Sequence, residues 1–135
     1  MAHQFQSSAV ETIYRSIPDD IRECLLLVRT SIFDIAAADD RVGTIEETLK
    51  WGEPSYLTHK PKSGTTIRLA PRIDTDSWGM FVHCQTSLIN QFRDLYPDLC
   101  DYEGTRGMIF KCENSCDQEA LAHCIGLALT YKLKK

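Results

Sequence analysis

The sequence predicts an α+β domain of two layers, in which N- and C-terminal helices pack on a twisted antiparallel sheet of about four strands. Apolar residues recur at three- and four-residue spacing near both ends of the chain, which is typical of amphipathic helices. Between these ends lie shorter apolar segments that are separated by turn-forming residues, and these favour strands. Because short turns join consecutive strands, the sheet is expected to be antiparallel.

Two helices are predicted at the N-terminal end. Ser8 and Glu11 have the spacing of a capping box, and they predict a first helix that reaches about Arg15. Pro18 suits the first turn of a second helix. This helix is expected to run to about Ala38, since an apolar residue recurs on one side at every third or fourth position.

The segment from Thr44 to Tyr56 is predicted to be a third, short helix followed by a sharp turn. Thr44 and Glu47 again have the spacing of a capping box. Gly52 and Pro54 then favour the end of a helix and the start of an extended segment.

The remaining chain is predicted to alternate strands and helices. Segments 55–60 and 65–70 flank the turn-forming residues 61–64 and are expected to form a hairpin. Segment 78–85 is apolar on both faces, which favours a central strand. A helix over 87–95, a strand over 107–112 and a last helix with its apolar face at 121–129 complete the prediction.

Length and composition predict a single domain over residues 1–135. A formal net charge of −4 disfavours a non-specific nucleic-acid binder, and the longest apolar runs are far too short to span a membrane. No signal peptide is visible at the N-terminus, so we expect a cytoplasmic protein. The six cysteines are then expected to be reduced and mostly buried.

Several motifs resemble those of one bacterial protein family. The segment 45–56, IEETLKWGEPSY, is similar to the signature of the YdhG-like proteins, a domain of unknown function. The resemblance extends over roughly Val10 to Tyr131 and includes GTTIRL at 64–69, HCQTSL at 83–88, YEGTR at 102–106 and ALTY at 128–131. It implies an α+β fold with a twisted antiparallel sheet. Some members are described as frataxin-like iron chaperones, so iron binding is a weaker expectation.

Two aromatic residues and one cysteine are candidate ligand-binding residues. Trp51 and Tyr56 flank the predicted sharp turn and could line a pocket, although large aromatics more often fill a core. Cys84 precedes a predicted helix start, where a thiol can become reactive. The alternative is a buried structural cysteine, and strand alternation would place His83 on the opposite face from Cys84.

Three arginines, Arg68, Arg93 and Arg106, form the second set of candidates. A guanidinium group matches the shape of a carboxylate or phosphate, so convergence on one cleft would create an anion site. We expect Arg68 and Arg106 to lie within one or two strand spacings of each other. The alternative is that the arginines pair with protein carboxylates such as Glu103 or Asp94.

The sequence therefore favours a small binding domain for an anionic ligand or a metal. A protein-interaction module, such as a homodimer without a small ligand, is the alternative. An enzyme that uses Cys84 is the weakest hypothesis, since none of the common nucleotide-binding, metalloprotease or hydrolase motifs occurs. No cofactor, no nucleic-acid partner, no membrane partner and no metal ligand set is predicted.

Overall fold

A computed structural model describes residues 3–59, 62–84, 86–113 and 116–133. In these ranges the chain forms four α-helices and one six-stranded antiparallel sheet. The α+β class is confirmed, whereas the expectation of about four strands is wrong. The two additional strands lie at the two edges of the sheet.

The helices are α1 (Ser8–Arg15), α2 (Asp19–Ala38), α3 (Leu88–Leu95) and α4 (Gln118–Leu129). The strands are β1 (Thr44–Lys50), β2 (Glu53–His59), β3 (Ile67–Arg72), β4 (Ser77–Phe81), β5 (Asp101–Glu103) and β6 (Gly107–Lys111). Their order in the sheet is β1-β2-β3-β4-β6-β5. Helix α1 is capped by the Ser7 side chain, which accepts a hydrogen bond from Val10 N–H, instead of by the predicted box that starts at Ser8.

The predicted third helix is in fact β1. This strand pairs with β2 along its whole length, from Thr44 opposite His59 to Lys50 opposite Glu53. A two-residue loop, Trp51-Gly52, joins the strands, and both residues have positive φ angles of 56° and 75°. Such angles at both central positions are typical of a type I′ hairpin turn.

Several predicted strand ends also change. Strand β2 starts two residues before the predicted segment, and Lys60 and Pro61 lie outside the described residues. Strand β4 ends at Phe81 instead of at residue 85, and Gln85 also lies outside the described residues. The central position predicted for this strand is confirmed, since β4 lies between β3 and β6 and all five of its residues are buried.

The helices cover one face of the sheet. Alternate strand residues, among them Ile45, Ile67, Leu69, Met80 and Met108, pack with the apolar faces of the helices in a single core. The opposite face carries the other alternating set of strand residues. This second face is not covered by a helix of the described chain, and it positions the candidate site.

Candidate functional site

The floor of the candidate site is a row of residues across the uncovered face of the sheet. Ser55, Arg68, Phe81 and Gly107 are consecutive cross-strand partners on β2, β3, β4 and β6. A Cβ atom added to Gly107 would lie 3.0 Å from the Phe81 ring, and one added to Gly79 would lie 2.5 Å from it. The ring therefore lies close against two glycines that leave space for it.

Two arginines also lie close to this ring. The guanidinium carbon of Arg68 lies 5.2 Å from the centre of the Phe81 ring, and that of Arg72 lies 5.7 Å from it. Cation–π attraction favours this arrangement. As a result Phe81 is only 7% exposed although no helix covers it, and Arg68 is held at a defined position above the sheet.

The wall of the site is made by the end of α4 and the loop between β2 and β3. Thr65 N–H donates to Ala128 O at 3.0 Å, and Lys132 N–H donates to Ser63 O at 2.8 Å. The buried Ser63 hydroxyl donates to Leu129 O at 2.7 Å. These bonds fix the segment after α4, so that the side chains of Tyr131 and Lys132 line the site.

Together these elements form a cleft of about 630 Å³ that is open to solvent. Such a volume is typical of small-molecule sites. Four basic residues line the cleft, namely Lys50, Arg68, Arg106 and Lys132. No carboxylate occurs among the described lining residues. The whole chain carries a net charge of −4, whereas the residues that line the cleft are basic. The electrostatic potential of the cleft is therefore expected to be opposite in sign to the net charge of the chain.

The two cleft arginines differ in their protein partners. Arg68 Nε lies 3.0 Å from Glu53 Oε1, but the angle does not make a hydrogen bond, so the contact is an ion pair only. Arg106 makes no ion pair or side-chain hydrogen bond with any residue that the structure describes. Glu103, the carboxylate considered as its partner, instead forms a two-bond pair with Arg72 at 3.0 and 2.8 Å. Arg106 is therefore exposed beside the cleft with its donors available.

The cleft brings together four of the six predicted site residues: Trp51, Arg68, Cys84 and Arg106. Trp51 is 90% exposed, so the interpretation of this residue as a core side chain is wrong. Cys84 is exposed as well, which contradicts the interpretation as a buried structural cysteine. His83 and Cys84 both line the cleft because β4 ends at Phe81, and the strand alternation assumed for them no longer holds beyond that residue.

Tyr56 lies on the opposite, covered face of the sheet. Its hydroxyl donates to Glu47 Oε2 at 2.8 Å and lies 2.6 Å from the hydroxyl of Tyr14. Because the Tyr56 hydroxyl donates its one proton to Glu47, the Tyr14 hydroxyl must donate to the oxygen of Tyr56. Tyr56 is fully buried and belongs to the core, so the structure does not place it with the cleft residues.

Arg93 is also separate from the cleft. It extends from α3, where its guanidinium carbon lies 5.6 Å from the centre of the Tyr102 ring. Its Nη1 donates to Asn90 Oδ1 at 3.3 Å. Arg93 therefore provides a natural control for experiments on the cleft arginines.

Sequence reasoning missed several cleft residues, chiefly Lys50, Tyr131 and Lys132. Lys50 is the neighbour of Trp51 and could have been found had the two-residue hairpin turn been recognised. Tyr131 and Lys132 reach the cleft through backbone contacts between α4 and the β2–β3 loop, and such contacts leave no pattern in the side chains.

Comparison of the chain with family models, with curated proteins and with solved structures gives no match. The resemblance to the YdhG-like family accordingly stays a prediction. In the described ranges no group of three or more His, Cys, Asp or Glu side chains is placed to hold a metal ion. Likewise, none of the helices described has the length and apolar character that a membrane crossing requires.

Proposed function

We propose that the protein binds a small anion in the cleft between the uncovered sheet face and the end of α4. The observation that carries this proposal is the charge of the lining, in which four cations and no carboxylate meet among the described residues. Arginines are suited to carboxylate and phosphate because their planar fork can donate two parallel hydrogen bonds. Arg106 has such donors available, and Arg68 is held in place over Phe81. An anion is favoured over a metal ion, since the described cleft lining offers no carboxylate ligands.

Binding is expected to stabilise the folded protein against heat. At a concentration of 100 times Kd, phosphate or succinate should add about 2.7 kcal/mol to the free energy of unfolding by mass action. Thermal melts with each anion, compared with sodium chloride at the same ionic strength, measure this gain. Arg106→Ala should lose most of it, because Arg106 lines the cleft and its side chain makes no ion pair or hydrogen bond with a described residue, so the guanidinium group is available to the anion.

Arg93→Ala is the matched control, since Arg93 is a helix arginine outside the cleft, and this variant should keep the full gain. An equal gain in sodium chloride, or an undiminished gain in Arg106→Ala, would show that the anion does not bind in this cleft.

Cys84 provides a second measurement of occupancy. It is the exposed member of the six cysteines, whereas burial raises the pKa of Cys100, Cys112 and Cys124 to about 12. A chromogenic disulfide reagent should therefore react first at Cys84, because the thiolate is the reactive form. Phosphate at ten times Kd should slow this first phase about tenfold if the occupied cleft excludes the reagent. Cys84→Ser should lack the phase altogether, and a rate that phosphate leaves unchanged would place Cys84 away from the bound anion.

A further inference from the structure

Trp51 has a backbone conformation that its side chain does not favour. It occupies the first central position of the type I′ turn, with φ at 56°. This position favours asparagine, aspartate or glycine, because a larger side chain crowds the following carbonyl group in the left-handed region. Gly52, at the second position, is a residue that the turn does favour. The turn itself therefore gives no reason for a tryptophan.

Burial gives no reason for it either. Trp51 is 90% exposed, whereas the other tryptophan, Trp78, is 4% exposed and stacks on Phe110 with ring centres 4.3 Å apart. Only Trp78 thus contributes its ring to the core. Trp51 thus destabilises the fold through its backbone conformation and gains no stability from burial of its ring. Backbone strain of this kind is characteristic of functional positions.

The location of Trp51 beside the cleft explains why a tryptophan occupies this turn position. Trp51 lines the cationic cleft, next to Lys50 and on the same lining as Arg68 and Tyr131. Aromatic and cationic groups that line one cleft match a ligand that has both a planar ring and a negative charge. Inorganic anions would use the cations and leave Trp51 without a function.

We propose that Trp51 is a stacking surface for the planar ring of an aromatic anion, whose charged group is bound by Arg68 and Arg106. This proposal rests on the anion-binding function above and specifies its ligand class. Two sources share the required chemistry: nucleoside monophosphates, in which the ring is a base, and aryl carboxylates. Both place a flat apolar surface at a short distance from one anionic group.

The test compares pairs of anions that differ in the ring alone. Adenosine monophosphate is compared with ribose 5-phosphate, and benzoate with cyclohexanecarboxylate, each by calorimetric titration of the full chain. We expect the planar member of at least one pair to bind about tenfold more tightly, which is a usual gain from stacking on an aromatic side chain. The pair that shows the difference identifies the source of the ligand.

Variants at position 51 complete the test. Trp51→Phe should retain most of the preference for the planar ring, and Trp51→Ala should abolish it. Trp51→Asn should abolish it as well, yet melt at a higher temperature than the parent protein, because asparagine suits the turn. This opposite response of binding and stability is not expected from a residue with a purely structural role.

The outcomes separate this proposal from the one on which it rests. If planar and non-planar anions bind equally well, and Trp51→Ala binds them all like the parent, the stacking role is wrong while the anion site stands. If no anion binds, both proposals fail, and Trp51 is then better explained as a contact for a partner protein.

Discussion

Replacement of Glu47 by alanine is expected to lower the free energy of unfolding by about 3–5 kcal/mol. The Glu47 side chain is completely buried and pairs with Arg29, with Nε–Oε2 and Nη2–Oε1 distances of 2.5 and 3.1 Å. Arg29 is itself 3% exposed, so the variant leaves a buried guanidinium group without its counter-charge. Urea melts of the two proteins measure the loss.

The neighbouring residue gives the matched control. Glu46 is exposed on the same strand, and Glu46→Ala should change the free energy of unfolding by less than about 0.5 kcal/mol. A loss of under about 1 kcal/mol in Glu47→Ala would mean that Arg29 finds another partner or reaches water.

The loss should also depend on pH. Burial alone raises the pKa of the Glu47 carboxyl, but hydrogen bonds from Arg29, from Gln6 N–H and from Tyr56 outweigh it and hold this pKa below its usual value. A lowered pKa in the folded state stabilises the protein above the unfolded pKa of about 4.3, and this stabilisation is lost as the pH falls through the folded pKa. The difference between Glu47→Ala and the parent should therefore be constant from pH 5 upward and shrink in more acidic solution.

Gly64→Ala is expected to cost about 3 kcal/mol, the upper part of the usual range for overpacking. A Cβ atom at this position would lie 2.2 Å from Ala128 O and 2.4 Å from Leu129 O. Both are backbone atoms at the end of α4, so the overlap cannot be relieved by a change of rotamer. Because the same contact positions Tyr131 and Lys132, the variant should also bind anions more weakly.

Gly126→Ala is the control for this change. Gly126 lies inside α4, and the nearest atom to an added Cβ is Ile35 Cγ2 at 3.9 Å, an ordinary contact distance. Alanine there should raise the free energy of unfolding by about 0.5–1 kcal/mol, since glycine is unfavourable within a helix. If both variants have similar stability, the contact between Gly64 and α4 is not tight in solution.

The sequence predicts the α+β class and the position of α2, because the apolar pattern of this helix is long and regular. It also places β4 at the centre of the sheet, but it extends this strand to residue 85 instead of to Phe81. It fails for β1, since Glu47 stands at an inward position and gives the strand a polar residue where an apolar one is expected. The residue that neutralises it, Arg29, is on α2 and cannot be recognised from the local pattern. Strand β5 has only three residues, too few to produce any periodicity.

The candidate site is predicted in part for similar reasons. Arg68, Arg106, Cys84 and Trp51 are recognisable as candidates because each is a chemically distinctive residue near the end of a strand or in a turn. Their convergence depends on the order β2-β3-β4-β6, in which β6 follows β4 in space although a helix separates them in sequence. Tyr56 and Arg93 have equally suitable side chains, and only the three-dimensional structure separates them from the cleft.

The contacts between the β2–β3 loop and the end of α4 also determine when the cleft can exist during synthesis. Arg68 and Phe81 are made early, but the wall residues Tyr131 and Lys132 follow much later in the chain. At ordinary translation rates the ribosome needs about 3–10 s to proceed from Phe81 to Lys132. During that interval a nascent chain exposes Trp51 and the cleft arginines without an assembled site. A ligand of the proposed kind is therefore expected to stabilise the chain only after the end of α4 has been made, and not to guide the folding of the earlier segments.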